Sequence, residues 1–350
     1  MTSGPNILFI ADAGARVGGG HVMRSLTLAK ALEANGAACA FAATPAVRDV
    51  LETFGQPEGG MIGIDDAAPD YLVGAALAAA AAFAPGIVVL DHYRLRRETY
   101  APALRAAGCA VVVIDDLGDR AQDCDLLVDP TLGRTAEAYA KLVPIRARVL
   151  TGPDYALLRP QFAQARALGL SRRDSRGAPE RALVALGLTD VGGITGRVVQ
   201  TLLRRLDGTK LDVVVGDGAP SLAALAELAG DDERVRLHVD RRDMAGLMSA
   251  ADFAIGAGGS SVWERACLGL PSVCLVLADN QRPLALELDR RGATLAIDVE
   301  AADFEAALTV AWRRLLTEGS LRASLAQESA TLCDGLGAER LAEAVLALAR

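Results

Sequence analysis

A histidine and an arginine follow three glycines in the segment VGGGHVMR, residues 17–24. The chain has three histidines, and an apolar run, NILFIA, precedes this segment. The pattern predicts a strand, a glycine-rich turn and a helix that begins near His21 and ends at Gly36. The helix dipole disfavours cations in the first turn, which favours a neutral His21 that can accept a proton and an anionic ligand near Arg24. The alternative is a capping role for His21 and a solvated Arg24.

The glycines of this turn let the backbone approach a ligand and leave N–H groups exposed at the start of the helix. Gly19 and Gly20 are therefore candidate ligand contacts. The dinucleotide fingerprint G-x-G-x-x-G is not matched, because its third glycine is missing and no acidic residue ends the second predicted strand. A NAD site is not favoured.

A second glycine-rich segment, GAGGSSVWERACLGLP, follows the apolar run DFAIGA and opens another predicted helix. Backbone N–H groups and two hydroxyls at a helix start suit a phosphate, and a carboxylate one turn later suits a ribose diol. The candidate nucleotide contacts are Gly258, Gly259, Ser260, Ser261 and Glu264. The alternative is an ordinary capping box, with Ser261 as the cap and Glu264 as its third residue.

Two further loops follow predicted strands in the second half of the chain. VLADNQ ends in Asn280 and Gln281, whose amides suit sugar hydroxyl or acetamido groups; a simple turn is the alternative. LGLTDVGG contains Thr189 and Asp190, which are candidate ligand contacts, although Asp190 alone could cap the following helix.

Charged and aromatic side chains also end two strands in the first half. VVLDHYRLR places Asp91, His92 and Tyr93 at a strand end, where Asp91 can orient an imidazole and the other two are candidate substrate contacts; a structural rim is the alternative. VVVIDD ends in Asp115 and Asp116. Paired carboxylates suggest a metal, but no further ligand has suitable spacing, so we expect no metal, with Asp115 in a cleft and Asp116 on the surface.

The elements that position these residues alternate along the whole chain. Continuous apolar runs separated by helical stretches predict parallel sheets that are covered on both faces. We expect two Rossmann-like doubly wound domains facing each other across a cleft, with residues 1–155 in the first, 156–335 in the second and a helix over 336–350. The polar segment ALGLSRRDSRGAPERAL is expected to be an exposed connection into the second domain.

Composition excludes several classes of partner. The net charge is −8, no basic tract stands out and no apolar run is long enough for a membrane span, so neither nucleic acid nor a membrane is expected. The six cysteines lack metal-ligand spacing and the N-terminal segment lacks the features of a signal peptide. A cytoplasmic protein with reduced thiols, without a cofactor and monomeric, is the expectation.

Taken in order, GGGHVMRSLTLAKAL, DHY, GPDYALLRPQF and GAGGSSVWERACLGLPSVCLVLADNQ resemble the PseG-type UDP-2,4-diacetamido-2,4,6-trideoxy-β-L-altropyranose hydrolases of pseudaminic acid biosynthesis. The resemblance covers roughly residues 6–300. The chain is more distantly similar to the GT-B glycosyltransferase MurG. Two departures are the Ile10 that stands where the family often has an arginine before Asp12, and the Leu188 within the Gly187–Asp190 stretch.

The resemblance implies a GT-B fold and a UDP-sugar substrate that is cleaved at the anomeric carbon to release UDP, a step that serves flagellin and other surface glycans. His21 would be the catalytic base, and Asp12, Arg24 and the loop residues above would contact the substrate. A GT-B glycosyltransferase and a non-catalytic sugar-nucleotide binding protein remain as alternatives.

Overall fold

The computed structural model describes residues 4–14, 17–65, 68–173 and 177–349. The chain divides into two compact units: unit 1 is Met1–Arg159 together with Leu336–Arg350, and unit 2 is Pro160–Gly335. Each unit has its own sheet.

All paired strands are parallel. The strands are β1 Asn6–Ala11, β2 Ala38–Ala43, β3 Met61–Gly63, β4 Ile87–Asp91, β5 Ala110–Ile114, β6 Leu126–Asp129, β7 Arg148–Thr151, β8 Arg181–Ala185, β9 Lys210–Val215, β10 Val235–Val239, β11 Phe253–Ala257, β12 Ser272–Val276 and β13 Leu295–Asp298.

α-Helices connect most successive strands, except from β5 to β6 and from β6 to β7, and cover the sheets. The α-helices are α1 Gly20–Ala34, α2 Pro45–Phe54, α3 Pro69–Ala79, α4 Arg97–Ala106, α5 Pro160–Arg173, α6 Ile194–Leu203, α7 Leu222–Asp231, α8 Met244–Ala250, α9 Ser261–Cys267, α10 Arg282–Arg290, α11 Phe304–Thr317, α12 Gly319–Ala330 and α13 Gly337–Leu346.

Both sheets have the Rossmann strand order. The unit 1 sheet runs β3-β2-β1-β4-β5-β6-β7, and the unit 2 sheet runs β10-β9-β8-β11-β12-β13. The direction of winding therefore reverses between β1 and β4 in unit 1 and between β8 and β11 in unit 2. In open parallel sheets such a switch point opens a crevice beyond the carboxyl ends of the strands, where ligands bind. The prediction of two doubly wound parallel sheets is confirmed.

Apolar side chains on both faces of the sheets explain the continuous hydrophobic runs. In unit 1, Phe9 and Phe41 point into one core and Leu8 and Val88 into the other, on the opposite face. Every residue of the central strands β4, β11 and β12 is buried. Strands covered on both faces cannot alternate apolar and polar residues, and this produces the run-like pattern of the sequence.

The helix α13 belongs to unit 1, although more than 170 residues of unit 2 precede it. Its Leu341 and Val345 are fully buried in the same core as Val22 and Leu28 of α1. The helix that carries His21 is therefore held in place partly by residues far along the chain.

The expectation for the polar connection is corrected in its first part. Residues 167–173 continue the helix α5, while residues 174–176 lie outside the described part of the chain. The reason is that this helix packs within unit 2, of which it is the first element: Arg173 donates to the carbonyl oxygens of Ala251 and Met248, and Gly169 lies against Leu268. The short strands β3, β7 and β13 have too few residues for a recognisable pattern and were not predicted.

Candidate functional site

The switch point of unit 1 gathers the chemically active residues of the first half. Asp12 follows β1, Asp91 ends β4, and the backbone N–H of Asp12 donates to the Asp91 carbonyl at 2.9 Å. The helix α1 begins beside them at Gly20. The sheet topology thus brings together residues that are some 70–80 positions apart in the sequence.

The glycine-rich turn sets the position of His21. Gly18 has a φ of +74° and its N–H donates to the carbonyl of Gly14 at 2.7 Å, which closes the turn before the helix. A Cβ on Gly19 would lie 3.3 Å from Val50, so this glycine also permits close packing, whereas Gly20 is exposed with open space around its Cβ position. His21 consequently lies in the first turn of α1.

His21 is joined to a carboxylate and a guanidinium. Its Nδ1 lies 2.5 Å from Asp91 Oδ1. Arg24, one turn along the same helix, donates through Nη2 and Nε to both oxygens of Asp91, each at 2.6 Å. All three side chains are largely withdrawn from solvent: 6%, 1% and 12% of the His21, Asp91 and Arg24 side chains are exposed.

The ion pair keeps Asp91 charged. Burial by itself would raise the pKa of Asp91, but Arg24 and His21 outweigh it and hold the pKa of this carboxyl far below its usual range. Asp91 is therefore an acceptor, and in the neutral imidazole this contact places the proton on Nδ1 of His21 and the lone pair on Nε2. A general base that acts through Nε2 requires this tautomer.

Asp116 completes the cluster, which corrects the expectation that it lies on the surface. Its Oδ2 accepts from Arg24 Nη1 at 2.7 Å and from the Tyr93 hydroxyl at 3.2 Å. The Tyr93 ring meets His21 edge-on, with 4.4 Å between the ring centroids. Burial, followed by the charge of Asp116, raises the pKa of Tyr93, so its hydroxyl stays protonated. No signal in the sequence distinguishes Asp116 from Asp115.

Asp115 is instead part of the framework. It is 1% exposed, and it accepts from the backbone N–H groups of Leu117 and Gly118 and from the Tyr139 hydroxyl. Its carboxylate therefore fixes the loop after β5. These contacts do not support the expectation that Asp115 lies in a cleft.

A second histidine–carboxylate pair, Asp12 with His92, lies at the same strand ends. His92 Nδ1 accepts from the N–H of Arg94 at 3.1 Å and lies 3.6 Å from Asp12 Oδ2. Burial lowers the pKa of His92 to about 4, against the raising effect of Asp12. Asp12 is 2% exposed, and among the described residues its Oδ2 has no hydrogen-bond partner. His92 is thus neutral near pH 7, and Asp12 keeps an acceptor oxygen unused.

The switch point of unit 2 carries the second glycine-rich segment. Gly258 follows β11, and a Cβ there would lie 3.1 Å from Gln281 Cβ, so this glycine allows the loop after β12 to approach. A Cβ on Gly259 would have open space, with Gln281 Nε2 nearest at 4.0 Å. Gln281 Oε1 accepts from the Leu277 N–H at 3.1 Å, which aims its amide nitrogen away from that bond. The structure therefore brings Gln281 to the glycine segment, but leaves Asn280 exposed.

The capping-box alternative is not formed. Ser260 is the N-cap of α9 and makes no side-chain capping bond, and Ser261 begins the helix. Ser260 is exposed, and Ser261 and Glu264 are half-buried in the first turn. The two hydroxyls thus stand at the helix start without the capping bonds that a purely structural segment would use.

Thr189 and Asp190 separate in the structure. Thr189 is exposed, whereas Asp190 is fully buried with a left-handed φ of +43°. The Asp190 oxygens accept from the backbone N–H groups of Thr195 and Ser221, at 2.7 and 3.0 Å. These bonds correspond to the capping alternative for Asp190, and its burial does not favour direct contact with a ligand.

In the described ranges no group of three or more His, Cys, Asp or Glu side chains is arranged to hold a metal ion. The six cysteines are free and buried. No described helix combines the length and hydropathy needed to cross a membrane.

Solved structures establish the fold. MurG of Acinetobacter baumannii superposes with a TM-score of 0.68 over 97% of this chain and 99% of its own, at 18% sequence identity. The chain has the GT-B fold. The GT-B prediction made from the sequence motifs is confirmed.

Two relatives share sequence with this GT-B protein. The UDP-2,4-diacetamido-2,4,6-trideoxy-beta-L-altropyranose hydrolase of Campylobacter jejuni is 23% identical over 287 residues, which cover 82% of this chain and 97% of the relative. This confirms the resemblance seen in the motifs. The spore coat polysaccharide biosynthesis protein SpsG of Bacillus subtilis is 30% identical over 196 residues, which cover 55% of this chain and only 57% of that protein. No protein-family model matches the chain.

Proposed function

We propose that the protein is a UDP-sugar hydrolase that releases UDP and a free sugar. The observation that carries this proposal is the His21–Asp91 contact at 2.5 Å, which leaves the imidazole Nε2 as a base at the switch point of unit 1. The substrate we propose is UDP-2,4-diacetamido-2,4,6-trideoxy-β-L-altropyranose. It rests on the C. jejuni relative, whose name states that activity.

In the proposed reaction His21 Nε2 removes a proton from water while the water oxygen attacks the anomeric carbon. The bond between that carbon and the diphosphate oxygen breaks, and UDP leaves with the electron pair. A single displacement inverts the anomeric configuration. UDP is already an anion and a good leaving group, so the step needs little acid assistance.

The charges around His21 suit this step. Asp91 and Asp116 contribute two negative charges and Arg24 one positive charge, so the cluster carries one net negative charge before the reaction. Proton transfer to His21 brings the net charge to zero, and Asp91 stabilises the imidazolium directly. Arg24, which is bound by both carboxylates, holds Asp91 in position.

For the sugar we propose contacts with Asp12, His92 and Tyr93 of unit 1. The unpartnered Oδ2 of Asp12 supports this, because a buried carboxylate oxygen gains most from a hydrogen-bond donor such as an acetamido N–H or a hydroxyl. The amide nitrogen of Gln281, which has no hydrogen bond among the described residues, suits a carbonyl or phosphate oxygen. The exposed residues Gly20, Thr189 and Asn280 remain secondary candidates.

For UDP we propose the segment from Gly258 to Glu264. Its support is the open space at Gly259, the two serine hydroxyls that are not used as caps, and the half-buried Glu264 as the partner of a ribose diol.

The test is incubation of the purified protein with the UDP-sugar in the absence of any acceptor. Equimolar UDP and free sugar support the hydrolase, turnover only with an added acceptor supports a glycosyltransferase, and binding without turnover supports a binding protein. Either of the last two outcomes overturns the proposal.

His21→Ala should abolish turnover, with a loss of about 10²–10⁴-fold for a general base, and should leave UDP binding by calorimetry unchanged. His238→Ala is the matched control, because His238 also contacts an aspartate, Asp212, at 2.7 Å, but in unit 2 on an edge strand. Retained turnover in His21→Ala would show that another group is the base.

A further inference from the structure

A buried arginine lies directly beneath the proposed UDP segment. Arg265 in α9 is 3% exposed. Its Nη2 donates to the carbonyl of Ala257 at 2.9 Å and its Nη1 to Ser261 Oγ at 3.1 Å, while its Nε has no partner among the described residues. Gly256 makes room for it, because a Cβ at that position would overlap the guanidinium.

Arg265 differs from the other arginine of the proposed site in how its charge is balanced. In the part of the chain that the structure describes, no ion pair joins Arg265 to an aspartate or glutamate, whereas Arg24 of unit 1, with 12% of its side chain exposed, is paired with two. Burial lowers the pKa of Arg265, and the neighbouring Cys274 and Glu264 oppose this only in part. An isolated buried cation is costly, and an anion nearby would offset the cost.

The contact with Ser261 gives this charge a route to a ligand. A guanidinium has only donors, so Ser261 Oγ accepts from Arg265 and its own hydroxyl proton remains available to donate. A hydroxyl that accepts from a cation is also a stronger donor, because hydrogen bonds in a chain polarise one another. Ser261 stands at the start of α9, next to the open position at Gly259.

We propose that Arg265 is a positioning residue for the diphosphate: it fixes Ser261 Oγ as an acceptor, directs the serine hydroxyl to a phosphate oxygen, and supplies the positive charge that balances the bound diphosphate. Arg265 acts through Ser261 and not by direct contact. This inference rests on the proposed UDP site, and it deepens that proposal by naming the source of the phosphate selectivity.

A purely structural role is the competing explanation, since Arg265 also holds the Ala257 carbonyl. Arg166 offers the comparison, because it too lies in unit 2 and donates to backbone carbonyls, those of Cys267, Ala330 and Cys333. A structural arginine should lower the free energy of unfolding when it is replaced, but should not change the preference between ligands with and without phosphates.

The experiment measures the Kd of uridine, UMP and UDP by calorimetry for wild type, Arg265→Met, Arg265→Lys and the control Arg166→Met. We expect Arg265→Met to raise the Kd of UDP by at least about tenfold and the Kd of uridine by less than about twofold. The change in the Kd of UMP should lie between these two. Arg265→Lys keeps a charge and should recover part of the loss. Arg166→Met should leave the UDP-to-uridine ratio of Kd values at the wild-type value.

The inference is overturned if Arg265→Met weakens the binding of all three ligands equally, or if it does not weaken the binding of UDP. If Arg265→Met does not fold, the ratio in Arg265→Lys decides: an unchanged UDP-to-uridine ratio overturns the inference, and a ratio changed by at least about threefold supports it. Ser261→Ala should cost less UDP affinity in Arg265→Lys than in wild type, because the two residues act in series. Failure of the wild-type protein to bind UDP would instead overturn the proposed function itself.

Discussion

Asp91→Asn is the sharpest test of the proposed chemistry, because it removes one charge without changing the shape of the side chain. In the wild type, Asp91 Oδ1 lies 2.5 Å from His21 Nδ1 and fixes the imidazole tautomer. Two unit charges about 4 Å apart at an effective dielectric of about 20 attract by about 4 kcal/mol, which corresponds to about 10³-fold in rate if the imidazolium forms in the transition state. An asparagine can also donate to Nδ1 and so favour the unproductive tautomer.

The assay is the rate of UDP release from the UDP-sugar without acceptor, together with the Kd of UDP. We expect kcat to fall about 10²–10³-fold while UDP affinity stays within about twofold. Breaking a buried charge pair also costs about 3–5 kcal/mol of unfolding free energy, so the rates should be measured well below the melting temperature of the variant.

Asp116→Asn is the matched control for Asp91→Asn. Asp116 also pairs with Arg24 but, among the described residues, neither hydrogen-bonds nor ion-pairs with His21, so its loss should lower kcat by about tenfold or less. A kcat for Asp91→Asn within about threefold of wild type, in a folded protein, would refute the assignment of His21 as the base oriented by Asp91.

Three further results are expected. Gly259→Ala should fold normally, because the structure has room for its Cβ, yet it should weaken UDP binding by at least about tenfold. Gly218→Ala, where a Cβ also has room, should leave UDP binding unchanged. Equal Kd values of UDP for the two variants would contradict the proposed UDP segment. Glu264→Ala should weaken the binding of UDP and of uridine alike by about 1–3 kcal/mol in calorimetry. Unchanged uridine binding would refute the proposed contact between Glu264 and the ribose. Because burial lowers the pKa of His92 to about 4, the unfolded state binds more protons between about pH 4 and 6.5 and stability falls with the pH there. Urea unfolding should therefore show about 2 kcal/mol more loss from pH 7 to pH 5 in wild type than in His92→Asn, and identical losses would contradict the neutral buried state.

The features that the sequence predicted are those encoded by neighbouring residues. Buried parallel strands appear as continuous apolar runs, and the turns after β1 and β11 appear as glycine clusters, so the two doubly wound sheets and both candidate loops could be placed. The proximity of His21 and Asp91 also follows, since both lie where adjacent strands end.

The features that were missed depend on partners far along the chain. Asp115 and Asp116 are adjacent in sequence, yet one faces the loop after β5 and the other faces Arg24, from which it is separated by 92 positions. The burial of Arg265 likewise follows from packing against Gly256 and not from the helix that contains it. Such choices are decided by tertiary packing, which no local pattern records.

The return of α13 to unit 1 has a consequence for the order of folding during synthesis. Unit 2 is a continuous segment, so it can complete its core as soon as Gly335 has left the ribosome. Unit 1 cannot, because Leu341 and Val345 belong to the same core as Val22 and Leu28 of α1 and are translated after all of unit 2. The helix that carries His21 therefore reaches its final packing only after the other unit has been made. A nascent chain arrested before Gly337 would expose an apolar face on α1, a surface that chaperones bind, even though all of the proposed site residues had already been synthesised.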